Sequence, residues 1–167
     1  MMRRGDGSGE KRLHIRIAVP LDGDIIAARN GEMAFETEGH VLDSDTARKG
    51  AMSVLEDPAK GWYLVAEHEG AIIGQCMITL EWSDWRNGQI WWIQSVYIIP
   101  ECRRKGVFSE MYAWIDAEAR RQPDVVGLRL YVEHENLAAR GAYRMLGMEE
   151  APYVMYEALF PECRGGK

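Results

Sequence analysis

The chain has 167 residues, of which 47% are hydrophobic and 28% charged, a composition typical of one globular domain. Its formal net charge of −6 disfavours a nucleic-acid binder, because neutralising phosphates requires a basic surface. The same charge mildly favours a cationic ligand, although it also serves solubility. The three cysteines form no CxxC pair and the four histidines no HExxH spacing, so no disulfide framework and no metal site are predicted.

Both ends of the chain are predicted to be tails that flank one domain over residues 13–160. Residues 1–12 form a flexible N-terminal tail without the apolar stretch of a signal peptide, and residues 161–167 form a C-terminal tail. No apolar run reaches the roughly 20 residues that a membrane helix needs. We therefore expect a cytoplasmic protein that does not insert into a membrane.

The first half of the chain predicts two helices among antiparallel strands. Apolar residues alternate with other residues from Leu13 to Ile17 and predict a strand that ends at Pro20. Asp22 or Asp24 begins a helix that runs through residue 34, and a second helix fits residues 45–57. Short connections then join strands at residues 62–67, 71–80 and 89–99 into an antiparallel meander, with turns at 69–70 and 83–88.

The second half predicts a strand–helix–strand unit. An amphipathic helix follows Gly106, with apolar residues at helical spacing: Val107, Met111, Trp114, Ile115 and Ala119. A strand over residues 128–132 then implies one parallel βαβ crossover. A helix at 137–146 and a final hairpin within 148–159 complete an α/β fold of about four helices. Its mixed sheet is expected to have six to seven strands, mostly antiparallel.

The start of the helix after Gly106 is a candidate anion site. A helix N-terminus presents unpaired N–H groups and partial positive charge, and here three cationic side chains precede it. The amides of residues 106–109 would face a diphosphate. Neither GxGxxG nor GxxxxGK[ST] is present, which disfavours a dinucleotide fold and a P-loop. Taken alone, the segment is more typical of a solvated loop.

Two segments carry a family resemblance. Residues 96–107, VYIIPECRRKGV, resemble the central motif of the GNAT superfamily: an apolar strand, a proline and [QR]-x-x-G-x-[GA]. Residues 130–133, followed by Asn136, Ala139, Tyr143 and Leu146-Gly147-Met148, resemble its second motif. The resemblance covers residues 13–159. It implies a GNAT fold and an N-acetyltransferase that moves an acetyl group from acetyl-CoA to a primary amine, by direct attack in a ternary complex.

The resemblance also implies roles for individual residues. The main chain of Val96, Tyr97 and Ile98 would bind pantetheine together with Asn136, and Tyr143 would act as general acid beside the sulfur. The pyrophosphate would lie on a set of residues around the helix start: Arg103, Arg104, Lys105, Gly106, Val107, Phe108 and Ser109. Phe108 departs from the Gly or Ala usual in the family, and we expect its ring to turn into the core.

The general base is not identified by the sequence. The strand before the central motif carries Trp92, Gln94 and Ser95, none of which is a base. A carboxylate acting through water is the remaining route, and the candidates are Glu36, Glu38, Glu81 and Asp84. Since acidic side chains are mostly exposed, each is also typical of a solvated surface.

The acceptor pocket is predicted from a cluster of tryptophans and acids. Trp82 and Trp85 precede the central strand, and aromatic faces attract cations. Packing under a loop, or a dimer contact, explains the tryptophans equally well. The predicted acceptor-side residues are Glu36, Glu81, Trp82, Asp84, Trp85 and Gln94.

The predicted acceptor is a small-molecule amine, and three other functions stay open. One is a non-catalytic acyl-CoA-binding regulatory module of the same fold. It is favoured by Phe108 and by the lack of the glutamate that some family members carry on the strand before the central motif. Another is a protein or peptide N-acetyltransferase, which needs an open groove. The third is an interaction domain without a nucleotide ligand. A homodimer is one candidate oligomeric state.

Overall fold

The computed structural model describes residues 13–160, and both predicted tails lie outside these residues. The strands are β1 (His14–Ile17), β2 (Trp62–His68), β3 (Ala71–Ser83), β4 (Gly88–Ile98) and β5 (Val125–Arg129). The helices are α1 (Gly23–Glu38), α2 (Ser44–Glu56), α3 (Val107–Arg121) and α4 (Leu137–Met145). None of the helices in this part of the chain is long and apolar enough to cross a membrane.

The five strands form one mixed sheet in the order β1-β2-β3-β4-β5. The first four are antiparallel to their neighbours, whereas β5 runs parallel to β4 after the α3 crossover. Glu69 and Gly70 both have positive φ, 53° and 80°, which is typical of the tight turn that joins twisted antiparallel strands. The predicted mixed sheet, the single parallel crossover and the four helices are confirmed.

The sheet is covered on both faces, because successive strand residues point to opposite sides. Leu64 lies in the core on the α3 side, which also contains the fully buried Met111 and Ile115. The next residue, Val65, lies in a second core with Ile26 against α1 and α2. The two faces therefore have separate hydrophobic cores, and β2 to β4 form the wall between them.

The start of α1 is held by an ion pair rather than by a side-chain cap. Asp22 is buried and its carboxylate accepts from Arg16 at 2.7 and 3.0 Å and from the Val19 amide at 2.8 Å. Hydrogen bonding by Arg16 lowers the pKa of Asp22. Asp24, the other predicted cap, pairs with Arg48 on α2 instead. The sequence therefore placed the helix start correctly but not the interaction that fixes it.

The predicted strand count was wrong, since five strands are present among the described residues rather than six or seven. Residues 148–160, in which a final hairpin was expected, are rich in apolar residues but form no strand. Their apolar side chains are exposed, Tyr153 at 75% and Tyr156 at 92%. A strand needs a partner for its backbone groups as well as a pattern, and over residues 13–160 β5 pairs only with β4.

The last strand also lies earlier than expected, at Val125–Arg129 rather than at residues 128–132. Its pairing with β4 ends at Trp92 opposite Arg129. The apolar residues that follow, Leu130 to Val132, continue the pattern after the two strands have separated. The apolar periodicity of the sequence does not indicate where the two strands separate, because the separation depends on the path of β4.

A substitution at Gly61, just before β2, tests how closely β2 and β3 approach each other. The φ of Gly61 is 127°, and a Cβ there would collide with the Ile78 carbonyl oxygen. We expect Gly61→Ala to lower the free energy of unfolding by about 1–3 kcal/mol from backbone strain alone, and by more once the collision is added. The control Gly50→Ala, in α2 with open space around it, is expected to raise it by about 0.5–1 kcal/mol. Urea denaturation of both variants measures the difference, and wild-type stability in Gly61→Ala would contradict this packing.

Candidate active site

A bulge in β4 opens the sheet. From Gln75 to Met77, β3 advances two residues, whereas its partner β4 advances three between Gln94 and Tyr97. The extra residue lies at Ser95, whose φ of +50° is left-handed. A bulge bends its strand, and the pairing of β4 with β5 ends at Trp92, three residues earlier. From Ile93 onward, one edge of β4 therefore has no strand partner within the described part of the chain.

The bulge is the feature that sequence reasoning missed. Glycine is the usual signal for a left-handed backbone position, but here the position holds a serine inside an apolar strand. Ser95 was considered only as a base and set aside. Its importance lies in its backbone conformation, which nothing in the local sequence indicates.

The loop after β4 and the start of α3 carry a run of amides without acceptors in the described part of the chain, the cradle. A short 3₁₀ turn at Pro100–Cys102 leads into Arg104 and Gly106, both left-handed with φ of 60° and 81°, and α3 begins at Val107. Among residues 13–160, no acceptor engages the amides of residues 104–109. Left-handed turns next to a helix N-terminus gather such N–H groups into an anion-binding concavity.

The cradle lies close against the sheet because β3 carries a glycine beneath it. A Cβ on Gly74 would come within 2.6 Å of the Ile98 side chain and 3.2 Å of Val107. Gly74 is also the strand partner of Ile98. The start of α3 is thereby held at the end of β4, beside the unpaired strand edge.

The three cationic side chains before α3 separate into two groups. Arg103 turns toward α1, where it donates to Glu36 at 2.6 Å and to the Ile98 carbonyl at 2.8 Å, over the Tyr97 ring. Arg104 and Lys105 are exposed and form no ion pair with any described residue. Only these two of the three predicted cations are therefore free to face a diphosphate.

The Arg103 contact joins two groups that the sequence assigned to different sites, a cofactor residue and an acceptor-side carboxylate. Its guanidinium lowers the pKa of Glu36. Glu36 also accepts from the buried Tyr97 hydroxyl at 2.9 Å, and burial together with Glu36 raises the pKa of Tyr97 to about 12. Both groups therefore keep their ordinary charge state at neutral pH.

Tyr143 lies on α4, which Asn136 caps by accepting from the Ala139 amide at 3.0 Å. The Tyr143 ring packs edge-on against Phe108, with centroids 5.6 Å apart. Burial raises the pKa of the Tyr143 hydroxyl, with a smaller contribution from the Cys76 thiol. The phenol therefore stays protonated beyond the usual range, as a proton donor must.

Phe108 turns out of the cradle, but not into the core as expected. Met111 and Ile115 on the same helix are fully buried, whereas Phe108 is half-buried between Tyr112 and Tyr143. Its side chain thus connects α3 to α4, and its amide remains among those without an acceptor. The large Phe108 side chain, at a position where the family usually has Gly or Ala, therefore packs against the helix that carries Tyr143.

The predicted acceptor-side residues divide between two places. Three lie on the α1 side of the sheet: Glu36 accepts there from Tyr97, Gln94 donates to Thr79, and Glu81 accepts from Trp92 and Arg129. The remaining three lie at the far end of the β3–β4 hairpin: Trp82, Asp84 and Trp85. From Gly88 to Gln94, six residues of β4 cover about 20 Å, so the structure does not bring this group to the bulge.

The remaining carboxylate candidate, Glu38, is exposed at the end of α1. Over the described range, His, Cys, Asp and Glu side chains form no group of three that could hold a metal ion.

Comparison with known proteins identifies the family. Residues 22–148 match the model of the acetyltransferase (GNAT) family. A possible acetyltransferase from Clostridium difficile 630 is 44% identical over 89% of this chain and 97% of its own, with a TM-score of 0.82. The chain therefore belongs to the acetyltransferase (GNAT) family and is an acyltransferase. No protein of curated function matches it significantly.

More distant structures share the fold. A ribosomal-protein-alanine N-acetyltransferase from Brucella melitensis biovar Abortus 2308 is 16% identical, with a TM-score of 0.73 over 89% of this chain and 99% of that one. An aminoglycoside N-acetyltransferase in complex with CoA is 15% identical, with a TM-score of 0.72 over 95% and 99%. These two act on acceptors of different kinds, so the shared fold does not identify the acceptor.

Gly106 tests the cradle. Its positive φ disfavours any side chain, although open space surrounds the position where a Cβ would lie. We expect Gly106→Ala to weaken acetyl-CoA binding about tenfold, because strain of about 1–2 kcal/mol opposes the turn that gathers the amides. Gly141→Ala, in α4 with equally open space, is the control and should bind as wild type does. Titration calorimetry measures both, and unchanged affinity in Gly106→Ala would exclude this turn as the site.

Proposed function

We propose that this chain transfers an acetyl group from acetyl-CoA to the primary amine of a small molecule, by direct attack in a ternary complex. One observation carries the proposal: the unpaired edge of β4 runs from the Ser95 bulge to a cradle of free amides at the start of α3. A ligand with an amide-bearing arm and a diphosphate matches this arrangement. CoA has both parts.

The binding roles follow from which groups are free. The main chain of Val96, Tyr97 and Ile98 would hydrogen-bond the pantetheine arm, as a strand does when it adds to a sheet edge. The amides of residues 104–109, with Arg104 and Lys105, would hold the pyrophosphate. Arg103 would act indirectly, by fixing the end of β4 to α1. Asn136 would offer its side-chain nitrogen, because its oxygen caps α4.

The chemistry requires two protons to leave the ammonium form of the acceptor for solvent, one before attack and one from the nitrogen once it has attacked, and one proton to reach the sulfur. An alkylammonium has a pKa of about 10, so it must lose a proton before its nitrogen can attack the thioester carbonyl. As the C–N bond forms and the C–S bond breaks, the Tyr143 hydroxyl would donate its proton to the thiolate and recover one from solvent. A backbone N–H near the bulge would stabilise the oxyanion.

Three of the four candidate carboxylates are poorly suited or poorly placed to act as the base. Glu36 is held by Arg103 and has a lowered pKa, and Glu81 accepts from Trp92 and Arg129. Asp84 lies at the distant hairpin end. We therefore propose that water carries the acceptor's proton to solvent. The cytoplasmic location, the single domain over 13–160 and a homodimer stay predictions.

Binding and turnover separate this function from its alternatives. Acetyl-CoA should raise the melting temperature, as any ligand that binds only the folded state does. Release of free CoA on addition of a small amine distinguishes the enzyme from a non-catalytic acyl-CoA-binding module. A protein or peptide acetyltransferase would release CoA only with peptide acceptors.

Tyr143→Phe tests the general acid. The variant keeps the ring that packs on Phe108 but loses the proton, so we expect the acetyl-CoA melting shift to persist and kcat to fall about 100-fold or more. Tyr112→Phe is the matched control, since Tyr112 contacts the same Phe108. Burial and the nearby Asp116, also on α3, raise the pKa of the Tyr112 hydroxyl. Stopped-time CoA release measures both rates. Equal turnover in Tyr143→Phe and wild type would exclude the role.

Glu36→Gln tests the absence of a protein base on α1. Because Arg103 lowers the pKa of Glu36, this carboxylate is a weak proton acceptor, and its removal should leave the acid limb of the kcat/KM profile at the same midpoint over about pH 6 to 9. Glu38→Gln removes the other candidate on this helix and should likewise leave the midpoint unchanged. A midpoint displaced only in Glu36→Gln would identify Glu36 as the base.

A further inference from the structure

We propose that the amine acceptor also carries a carboxylate, and that the guanidinium of Arg129 binds it on the α1 side of the sheet. The inference rests on the proposed function and names the chemical class of its acceptor. Sequence reasoning did not select Arg129, although it is the charged residue between Leu128 and Leu130 in an otherwise apolar strand.

Arg129 occupies the point at which the sheet opens. It is the last residue of β5 and the partner of Trp92, after which the two strands separate. Ser95 lies three residues further along β4, which is about 10 Å of strand. A molecule whose amine reaches the bulge from the α1 side therefore extends toward Arg129.

The guanidinium is held rigidly in place. It lies over the Trp92 ring, 5.4 Å from the centroid, and reaches across β4 to Glu81 on β3. Trp92 also donates to Glu81, and its neighbour Trp91 is buried in the core on the α3 side. The cluster of Glu81, Trp92 and Arg129 therefore faces the α1 side, with its geometry fixed from two directions.

Two of the three guanidinium nitrogens of Arg129 have no hydrogen-bond acceptor among the described residues. Both of its hydrogen bonds to Glu81, at 2.8 and 3.0 Å, use the same nitrogen, Nη1. Nε and Nη2 donate to no described residue, and the side chain is 35% exposed. A guanidinium has five N–H donors in a planar fork that matches a carboxylate, so the free nitrogens can bind one.

Charge on this side of the sheet gives a purely cationic acceptor no advantage. The three glutamates around Tyr97 and Trp92 are each paired with an arginine: Glu32 with Arg29, Glu36 with Arg103 and Glu81 with Arg129. None of these three glutamates is therefore left unpaired, whereas Arg129 has unused donors. Tyr131, 58% exposed and 6.1 Å from the Trp92 ring, adds an apolar wall for the acceptor's body.

Matched acceptors test the proposal in the wild-type protein. The panel pairs amino acids from glycine to 6-aminohexanoate with the corresponding carboxamides, so that the amine is kept and only the carboxylate is lost. For the preferred length, we expect kcat/KM to be about 10- to 100-fold higher for the acid than for its amide, as for a charge-assisted hydrogen bond. Equal use of acids and amides at every length would overturn the proposal.

Variants then assign the preference to Arg129. In Arg129→Gln the ratio of acid to amide should fall to about one, mainly through KM, and Arg129→Lys should recover part of it. The double variant Glu81→Gln/Arg129→Gln should show the same loss, which excludes an effect of an unpaired Glu81. Arg120→Gln, at an exposed position of α3, is the control and should keep the ratio. A ratio that survives in Arg129→Gln would overturn the assignment.

The two proposals fail in different ways. If acids and amides release CoA equally, the acetyltransferase function stands and only the carboxylate preference is rejected. If acetyl-CoA does not raise the melting temperature and no amine or peptide releases CoA, both proposals are rejected.

Discussion

The separation of β4 from β5 is the constraint on which the candidate site depends. Parallel pairing ends at Trp92 and Arg129, and the left-handed Ser95 bends β4 away just beyond. A strand edge without a partner presents unpaired N–H and C=O groups, and this one presents them next to the amides that begin α3. Without that separation the cradle would be an isolated helix N-terminus.

Arginine–carboxylate pairs divide the surroundings of this opening into regions of different character. Arg103 is held by Glu36 and Arg129 by Glu81, while Arg104 and Lys105 carry free charge beside the free amides. Under the proposed function, a diphosphate would meet positive charge on one side of the sheet. On the other side, an acceptor would meet neutral ion pairs, the Tyr131 ring and one guanidinium with unused donors.

Part of the site was readable from local pattern because its chemistry is local. Helix starts, turns and apolar periodicity predicted α3 with its free amides, and α4 to within a residue, whereas Asn136 and Tyr143 were selected by the family resemblance. Phe108 shows the limit of such reading. Its departure from the family motif was evident in the sequence, but its packing against Tyr143 depends on where α4 crosses α3.

The sequence by itself determined the order of elements, the mixed sheet with its crossover and the amides and cations at the start of α3, since each follows from interactions within a few residues. The tertiary structure alone decided the Ser95 bulge, the capture of Arg103 by Glu36 and the convergence of Glu81, Trp92 and Arg129. These last pairs are separated by up to 67 residues, and only the register of the sheet and the docking of α1 bring them together. The same reason explains the misjudged strand count, because the pattern over residues 148–160 is local and the partner it requires is not.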